Sequence, residues 1–193
     1  SNSSAASDVY KRQGLTAAHY LSLRGHRVTL IDSHSEPGGM LVLGIPSFRL
    51  PREILHKEVA SLLNENISLR LNTALGKDVT VEQLFEEGFD AVFLALGSMK
   101  SLPLGIEGED LPGVYPSMQF LREFNTRGTS LAKGHVGVIG GGNSAVDAAR
   151  IAQRQENVEK VTIFYRRTRE EMPAFPEEIE AAVEEGVDFE MLL

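Results

Sequence analysis

Val136-Gly137-Val138-Ile139-Gly140-Gly141-Gly142-Asn143-Ser144-Ala145 is an apolar run that opens into the pattern G-x-G-x-x-A. Residues 136–139 read as a buried strand. Residues 145–153 have the small-residue periodicity of a helix, with Asp147 in its acid-favouring first turns. In a dinucleotide-binding βαβ unit the first glycine makes the tight turn and the second lets backbone N–H groups reach a pyrophosphate. The small third residue lets helix and sheet pack closely, and the helix N-terminus offers partial positive charge. Gly140, Gly141, Gly142, Asn143 and Ser144 are therefore the expected pyrophosphate cradle. The next strand, residues 161–165, ends in Arg166-Arg167, where an acid would otherwise stand. A carboxylate there hydrogen-bonds an unmodified ribose 2′-OH and repels an added phosphate. Two arginines reverse the preference, so the pair points to NADP(H).

The chain of 193 residues carries 27 acidic and 19 basic side chains, a net charge of −8, yet Arg150, Arg154, Arg166, Arg167 and Arg169 crowd this one unit. A cationic concentration in an acidic chain is expected to form a pocket for an anion. The acidic total argues against nucleic acid as a partner. No apolar run approaches the roughly 18 residues of a membrane span, so a soluble, cytoplasmic protein without membrane contact is expected. Cysteine is absent, which removes disulfides, a C-x-x-C pair and Fe–S ligation from these residues. His19, His26, His56 and His135 show no metal-ligand spacing, and no Ser/His/Asp constellation stands out. No metal site and no catalytic side chain are assigned.

A second fingerprint is half present. Residues 14–25 read as a helix with a glycine stop, and residues 27–31 as a strand ending in Asp32. Gly14 takes the place of a third glycine, and Asp32 stands 18 residues further on, near the ~20 expected of the acid that binds an adenosine ribose. The strand and two glycines that should precede Gly14 have no counterpart. Residues 3–13 resemble the in-frame translation of a transposase adapter used in preparing sequencing libraries, and such a segment is set aside in fold reasoning. The natural sequence is expected to begin near Gly14 and, because residues 187–193 read as an interrupted strand, to be an internal fragment of a longer gene.

The remaining pattern fits an α/β protein of two Rossmann-like dinucleotide-binding domains, both incomplete. Residues 1–13 are the non-native segment, 14–105 an FAD-binding domain and 106–193 an NADP-binding domain. Residues 51–64 read as an amphipathic helix, 67–71 as a short strand, and Thr80 with Gln83 as a capping box opening a helix to Glu87. Residues 90–96 read as a buried strand ending at Gly97, and 104–116 as the crossover between domains. Residues 117–125 are expected to be helical and 126–134 a polar loop. Residues 176–186 form a helix with Pro at its start and Gly at its end, its glutamates a solvated face.

Between the fingerprints the sequence becomes specific. Pro37-Gly38-Gly39-Met40, Gly44-Ile45-Pro46-Ser47-Phe48-Arg49-Leu50-Pro51, residues 105–114, residues 140–150 and residues 165–173 form five ordered blocks. Together they resemble the small (beta) subunit of NADPH-dependent glutamate synthase and related FAD/NADPH oxidoreductases. These relatives include the N-terminal part of dihydropyrimidine dehydrogenase and NADPH:ferredoxin oxidoreductase flavoproteins. The resemblance implies that Asp32 binds the FAD ribose, that Gly39 and Met40 approach FAD by backbone, that Arg49 offers it a guanidinium, and that Leu75 touches the adenine region through its main chain. His34 is a further candidate on the adenine side, and Gly97 a close backbone approach, although Leu96 departs from the Ala-Thr-Gly form frequent in the family.

For the second cofactor the resemblance implies NADPH on residues 141–144, with Arg166 and Arg167 on the 2′-phosphate. It implies hydride transfer from NADPH to FAD and onward electron transfer to Fe–S clusters outside this chain, in a Cys-rich segment or in a partner such as the glutamate synthase large subunit. Two other readings compete. A thioredoxin-reductase-like enzyme would need a C-x-x-C pair that the chain lacks, and a non-catalytic NADP-binding sensor would have no use for the blocks at Gly38 and Gly44.

Overall fold

The computed structural model describes residues 13–98 and 100–192, so the adapter-like segment, Gln13 excepted, lies outside the described residues. Two compact units are present. The first comprises the described residues up to 42 together with 50–98, and the second comprises 43–49 together with the residues from 100 onward.

The first unit begins with α1 (Gln13–Leu23), which leads into β1 (Val28–Ile31). The helix stops at Gly25, where φ is +86°, and the His26 N–H donates back to the Leu21 carbonyl at 3.2 Å. Glycine takes this left-handed position at no steric cost, which is why it ends the helix. A single helical turn, α2 (Met40–Leu43), precedes α3 (Arg52–Leu62), whose buried residues Leu55 and Val59 are one turn apart. Strand β2 (Ile67–Arg70) runs parallel to β1, with Val28 opposite Ile67 and Ile31 opposite Arg70. Helix α4 (Val81–Glu86) opens with the capping box read from the sequence. The Gln83 N–H donates to Thr80 Oγ1 at 3.2 Å, and the Thr80 N–H donates to Gln83 Oε1 at 2.8 Å.

Residues 90–96 correct the sequence reading. They form no strand, and Phe93, Leu94 and Leu96 are 57–64 % exposed. A strand needs a ladder partner for its N–H and C=O groups, and among the described residues β1 and β2 pair only with each other. Apolar sequence does not supply the partner. Ala95 does lie beside α1, where a Cβ added to Gly14 would come within 3.4 Å of the Ala95 methyl and 3.9 Å of Leu30. Gly14 thus sits where a helix passes close to its neighbours.

The second unit is a three-stranded parallel sheet in the order β3-β4-β5, made of β3 (Gly134–Ile139), β4 (Val158–Tyr165) and β5 (Asp188–Met191). Helix α6 (Asn143–Gln153) connects the first pair and α7 (Pro176–Glu184) the second. This succession is one half of a doubly wound dinucleotide fold. Val161, Thr162 and Ile163 are buried in succession, as a central parallel strand covered on both faces requires. Around them pack Val146, Ala149 and Ile151 of α6, Ile179 and Ala182 of α7, and Leu121 of α5 (Ser117–Arg127). Helix α5 runs past the expected end at Asn125 and stops at Gly128, φ +65°. Residues 43–49 join this unit, and Asn125 Nδ2 donates to the Leu43 carbonyl at 3.0 Å.

Ile163 is fully buried in the middle strand. Ile163→Ala is expected to destabilise the second unit by about 2–5 kcal/mol, read as a fall in the urea midpoint of the circular dichroism transition.

Candidate dinucleotide sites

In the second unit the glycine turn joins β3 to α6. Gly140 has φ +135°, and its N–H donates to the Phe164 carbonyl at 3.0 Å, continuing the ladder by one bond. A Cβ on Gly140 would stand 3.4 Å from the Ala145 methyl, and one on Gly142 would meet nothing within 4 Å. Gly142 is the N-cap residue of α6 and no side chain caps the helix, so the N–H groups at its start are available to an anion. Asn143 and Ser144 form the first helical positions, Ser144 exposed.

Gly141 has a separate reason to be glycine. A Cβ there would lie 2.6–2.9 Å from the Tyr165 ring. The fingerprint leaves this position open, and here the aromatic ring at the end of β4 takes the space. The Tyr165 hydroxyl donates to the Glu171 carbonyl at 3.0 Å.

Arg166 and Arg167 follow Tyr165 and are exposed. The chain then turns through a short 3-10 helix, Arg169–Glu171, closed by a second capping box: the Thr168 N–H and hydroxyl both donate to Glu171 Oε2 at 3.1 Å. The backbone and side-chain hydrogen bonds from Thr168, with a smaller contribution from the Arg167 charge, hold the Glu171 carboxyl below its usual range. Beyond the box the chain returns to the glycine turn, with the Ala174 N–H donating to the Gly141 carbonyl at 3.1 Å and the Phe175 N–H to Asn143 Oδ1 at 3.0 Å. The turn carries no side chain, the helix start has no side-chain cap, and Arg166 and Arg167 stand exposed at the end of the strand next to it.

The other arginines are placed elsewhere, which corrects the expectation of one cationic pocket. Asp147, Arg150 and Arg154 recur at i, i+3 and i+7 along α6 and its C-cap, and Glu178 and Glu185 are separated by seven residues along α7 and its C-cap. Arg49 Nη1 donates to both Asp147 oxygens at 2.9 and 2.8 Å, and its Nε lies 2.8 Å from Glu178 Oε1. Arg150 bonds Glu178 and Glu185, and Arg154 bonds Glu185. The Phe48 ring lies under both guanidinium groups, 4.5 Å from Arg150 and 3.9 Å from Arg154. Arg169 stands over the Phe189 ring at 5.8 Å.

Asp147 and Arg150 are less than a tenth exposed. Burial alone would lower the Arg150 pKa, but Glu185, Glu178 and Asp147 outweigh it and hold it above the ordinary guanidinium value. Burial likewise opposes the charge on Glu185, and Arg150 and Arg154 bring its carboxyl below the usual range. Of the α7 glutamates, Glu177, Glu180 and Glu184 are exposed as expected, whereas Glu178 belongs to this network, as does Glu185 at the helix C-cap. Arg49, assigned to FAD by resemblance, has Nη1 and Nε engaged by carboxylates of the second unit.

In the first unit, Asp32 directly follows β1 and its Oδ1 accepts from the His34 N–H at 2.9 Å and lies 3.0 Å from His34 Nδ1. The Thr73 N–H donates to the Asp32 carbonyl and the Asn72 N–H to the His34 carbonyl, each at 2.9 Å. The turn after β2 is thereby tied to the carboxyl end of β1, where open α/β sheets bind ligands, and Leu75 lies in that turn. Gly38 has φ +132°, and a Cβ on it would approach Val42 to 2.8 Å. Gly39, φ +53°, leads into Met40 and α2. Arg52, unremarked in the sequence, donates to the Leu41 and Val42 carbonyls at 2.8 and 2.6 Å. Gly97 has φ +68° and is exposed.

Residues 14–190 match the pyridine nucleotide-disulphide oxidoreductase family. The chain belongs to that family. It is 44 % identical over 183 residues to the NADP(+)-dependent formate dehydrogenase subunit beta of Moorella thermoacetica, a match that covers 93 % of this chain and 26 % of that protein. It is 37 % identical over 188 residues to the glutamate synthase [NADPH] small chain of Escherichia coli (strain K12), covering 91 % of this chain and 39 % of that one. The chain therefore spans a quarter to two-fifths of these curated relatives. Among solved structures, Mycobacterium tuberculosis FprA in complex with NADPH superposes with a TM-score of 0.73 over 89 % of this chain and 44 % of that chain, at 22 % identity. That likeness shows a shared fold. Among the described residues no helix is long and apolar enough to cross a membrane.

Two measurements check the packing of the second unit. Asp147→Ala, which strips Arg49 Nη1 of both acceptors, is expected to cost about 3 kcal/mol in urea unfolding, with part recovered by Asp147→Asn. Gly141→Ala is expected to cost about 1–3 kcal/mol by overpacking against the tyrosine ring. Combining it with Tyr165→Ser should remove most of that additional cost, a coupling that thermal melts of the four proteins would read.

Proposed function

We propose that this chain contributes the FAD and NADPH sites of a flavin-dependent NADPH oxidoreductase similar to the glutamate synthase small subunit, and that the electrons leave through Fe–S clusters of another segment or a partner subunit. The observation that carries the reading is the placement of Arg166 and Arg167 beside an uncapped glycine turn, both in a chain of this family. A bound nicotinamide supplies hydride, and a bound flavin accepts it and passes on single electrons.

In this reading the residues bind and orient. The backbone of Gly140, Gly141, Gly142, Asn143 and Ser144 holds the NADPH pyrophosphate, and the two arginines hold its 2′-phosphate. In the first unit Asp32 takes the FAD ribose, while Gly39, Met40, Leu75 and Gly97 approach FAD through the main chain. The partner is supported by the relatives, since the formate dehydrogenase and glutamate synthase proteins are named as a beta subunit and a small chain. The 193 residues contain no cysteine, so they supply neither a redox disulfide nor thiolate ligands for a cluster.

Arg166→Ala combined with Arg167→Ala is expected to weaken NADPH binding on the order of a hundredfold, from two charge-assisted bonds lost, and to leave NADH little changed. Fluorescence titration of the complete protein with both nucleotides reads this, and equal wild-type affinity for NADPH and NADH would overturn the assignment. Flavin released on denaturing that protein supports the enzyme reading; NADPH binding without any flavin would make it a sensor.

A further inference from the structure

The exposed arginine turn is not left to move by itself. Its first flank is Tyr165, whose ring fills the space over Gly141 and whose hydroxyl donates to the Glu171 carbonyl at 3.0 Å. Glu171 is its second flank, and its Oε2 accepts both the N–H and the hydroxyl of Thr168 at 3.1 Å. The Leu192 N–H secures the Tyr165 carbonyl at 2.9 Å, and the Ala174 and Phe175 N–H groups attach the returning chain to Gly141 and Asn143. Residues 165–175 and the glycine turn therefore form one hydrogen-bonded piece, and Arg166 and Arg167 stand exposed on it. Arginine has large rotamer entropy, and backbone held in place before binding reduces what must be ordered when a phosphate arrives.

We propose that Glu171 and Tyr165 are positioning residues that fix the Arg166-Arg167 turn against the glycine turn and so set the preference for a 2′-phosphorylated dinucleotide over its unphosphorylated form. This rests on the NADPH reading above. Glu171 carries a charge of the same sign as the ligand and lies near enough to Arg167 to feel it. Its simple electrostatic effect on a phosphate would be repulsive, so removing it would tighten binding if charge were its whole role. The positioning role has the opposite sign, which lets experiment separate the two.

The test is titration of the complete protein with NADPH and with NADH. Glu171→Ala is expected to weaken NADPH on the order of tenfold and NADH less than about twofold. Glu171→Gln, which keeps an acceptor oxygen for Thr168 without the charge, should retain most of the NADPH affinity. Tyr165→Phe keeps the ring over Gly141 and loses only the hydroxyl bond; it should cost NADPH roughly threefold and serves as the test should Glu171→Ala not fold. In the background of Arg166→Ala and Arg167→Ala, Glu171→Ala should have no further effect on NADPH. Equal weakening of both nucleotides, unchanged NADPH affinity, or tighter NADPH binding in Glu171→Ala would each overturn the proposal. A wild-type protein indifferent to the 2′-phosphate would instead defeat the NADPH reading itself, whereas a wild-type preference that is undiminished in Glu171→Ala and Tyr165→Phe defeats only the positioning role.

Discussion

The parallel register of β3 on β4 is the constraint on which the nucleotide site depends. Ile139 stands opposite Phe164, and the next bond runs from the Gly140 N–H to the Phe164 carbonyl. The ladder therefore delivers the glycine turn and Tyr165-Arg166-Arg167 to the same end of the sheet at the same level. A slip of one residue would turn every side chain to the opposite face of the sheet, which a different helix covers. Val161 and Ile163, both fully buried, would then lose their places, so the hydrophobic burial of the central strand holds the polar site in register.

The ion-pair network on the two helices is a different kind of constraint. Three arginines and three acids satisfy one another around the Phe48 ring, with Asp147 and Arg150 largely removed from water. Taking charges out of water costs several kcal/mol per ion, so such a network contributes geometric specificity more than net stability. What it specifies here is concrete. Residues 48 and 49, which lie between two stretches of the first unit in the sequence, fold as part of the second. The guanidinium groups in this network are paired with carboxylates, whereas Arg166, Arg167 and Arg169 stand exposed on the segment after β4.

Glycines illustrate how one residue type answers unrelated demands. Gly140 needs a positive φ, Gly142 leaves the helix start open, and Gly141 yields its Cβ position to an aromatic ring. A run of three identical letters in the sequence thus conceals three distinct physical reasons. The third involves Tyr165, which is twenty-four residues away in the chain and adjacent only because the strands pair.

The sequence by itself determined those elements that local signals mark, and the order in which they follow one another. Local rules suffice for the glycine turn, the Thr80-Gln83 capping box, the glycine stop at Gly25 and the Pro176 start of α7, because each depends on residues a few positions apart. Tertiary structure decided which charges meet. Sequence placed all four of Arg150, Arg154, Arg166 and Arg167 in one unit, and Glu178 and Glu185 arriving from another helix are what pair the first two. The same holds for residues 90–96, whose apolar letters suit a strand while the ladder partner that would make one is a matter of neighbours in space. Periodicity reports which face of an element is apolar, and only packing decides what stands opposite it.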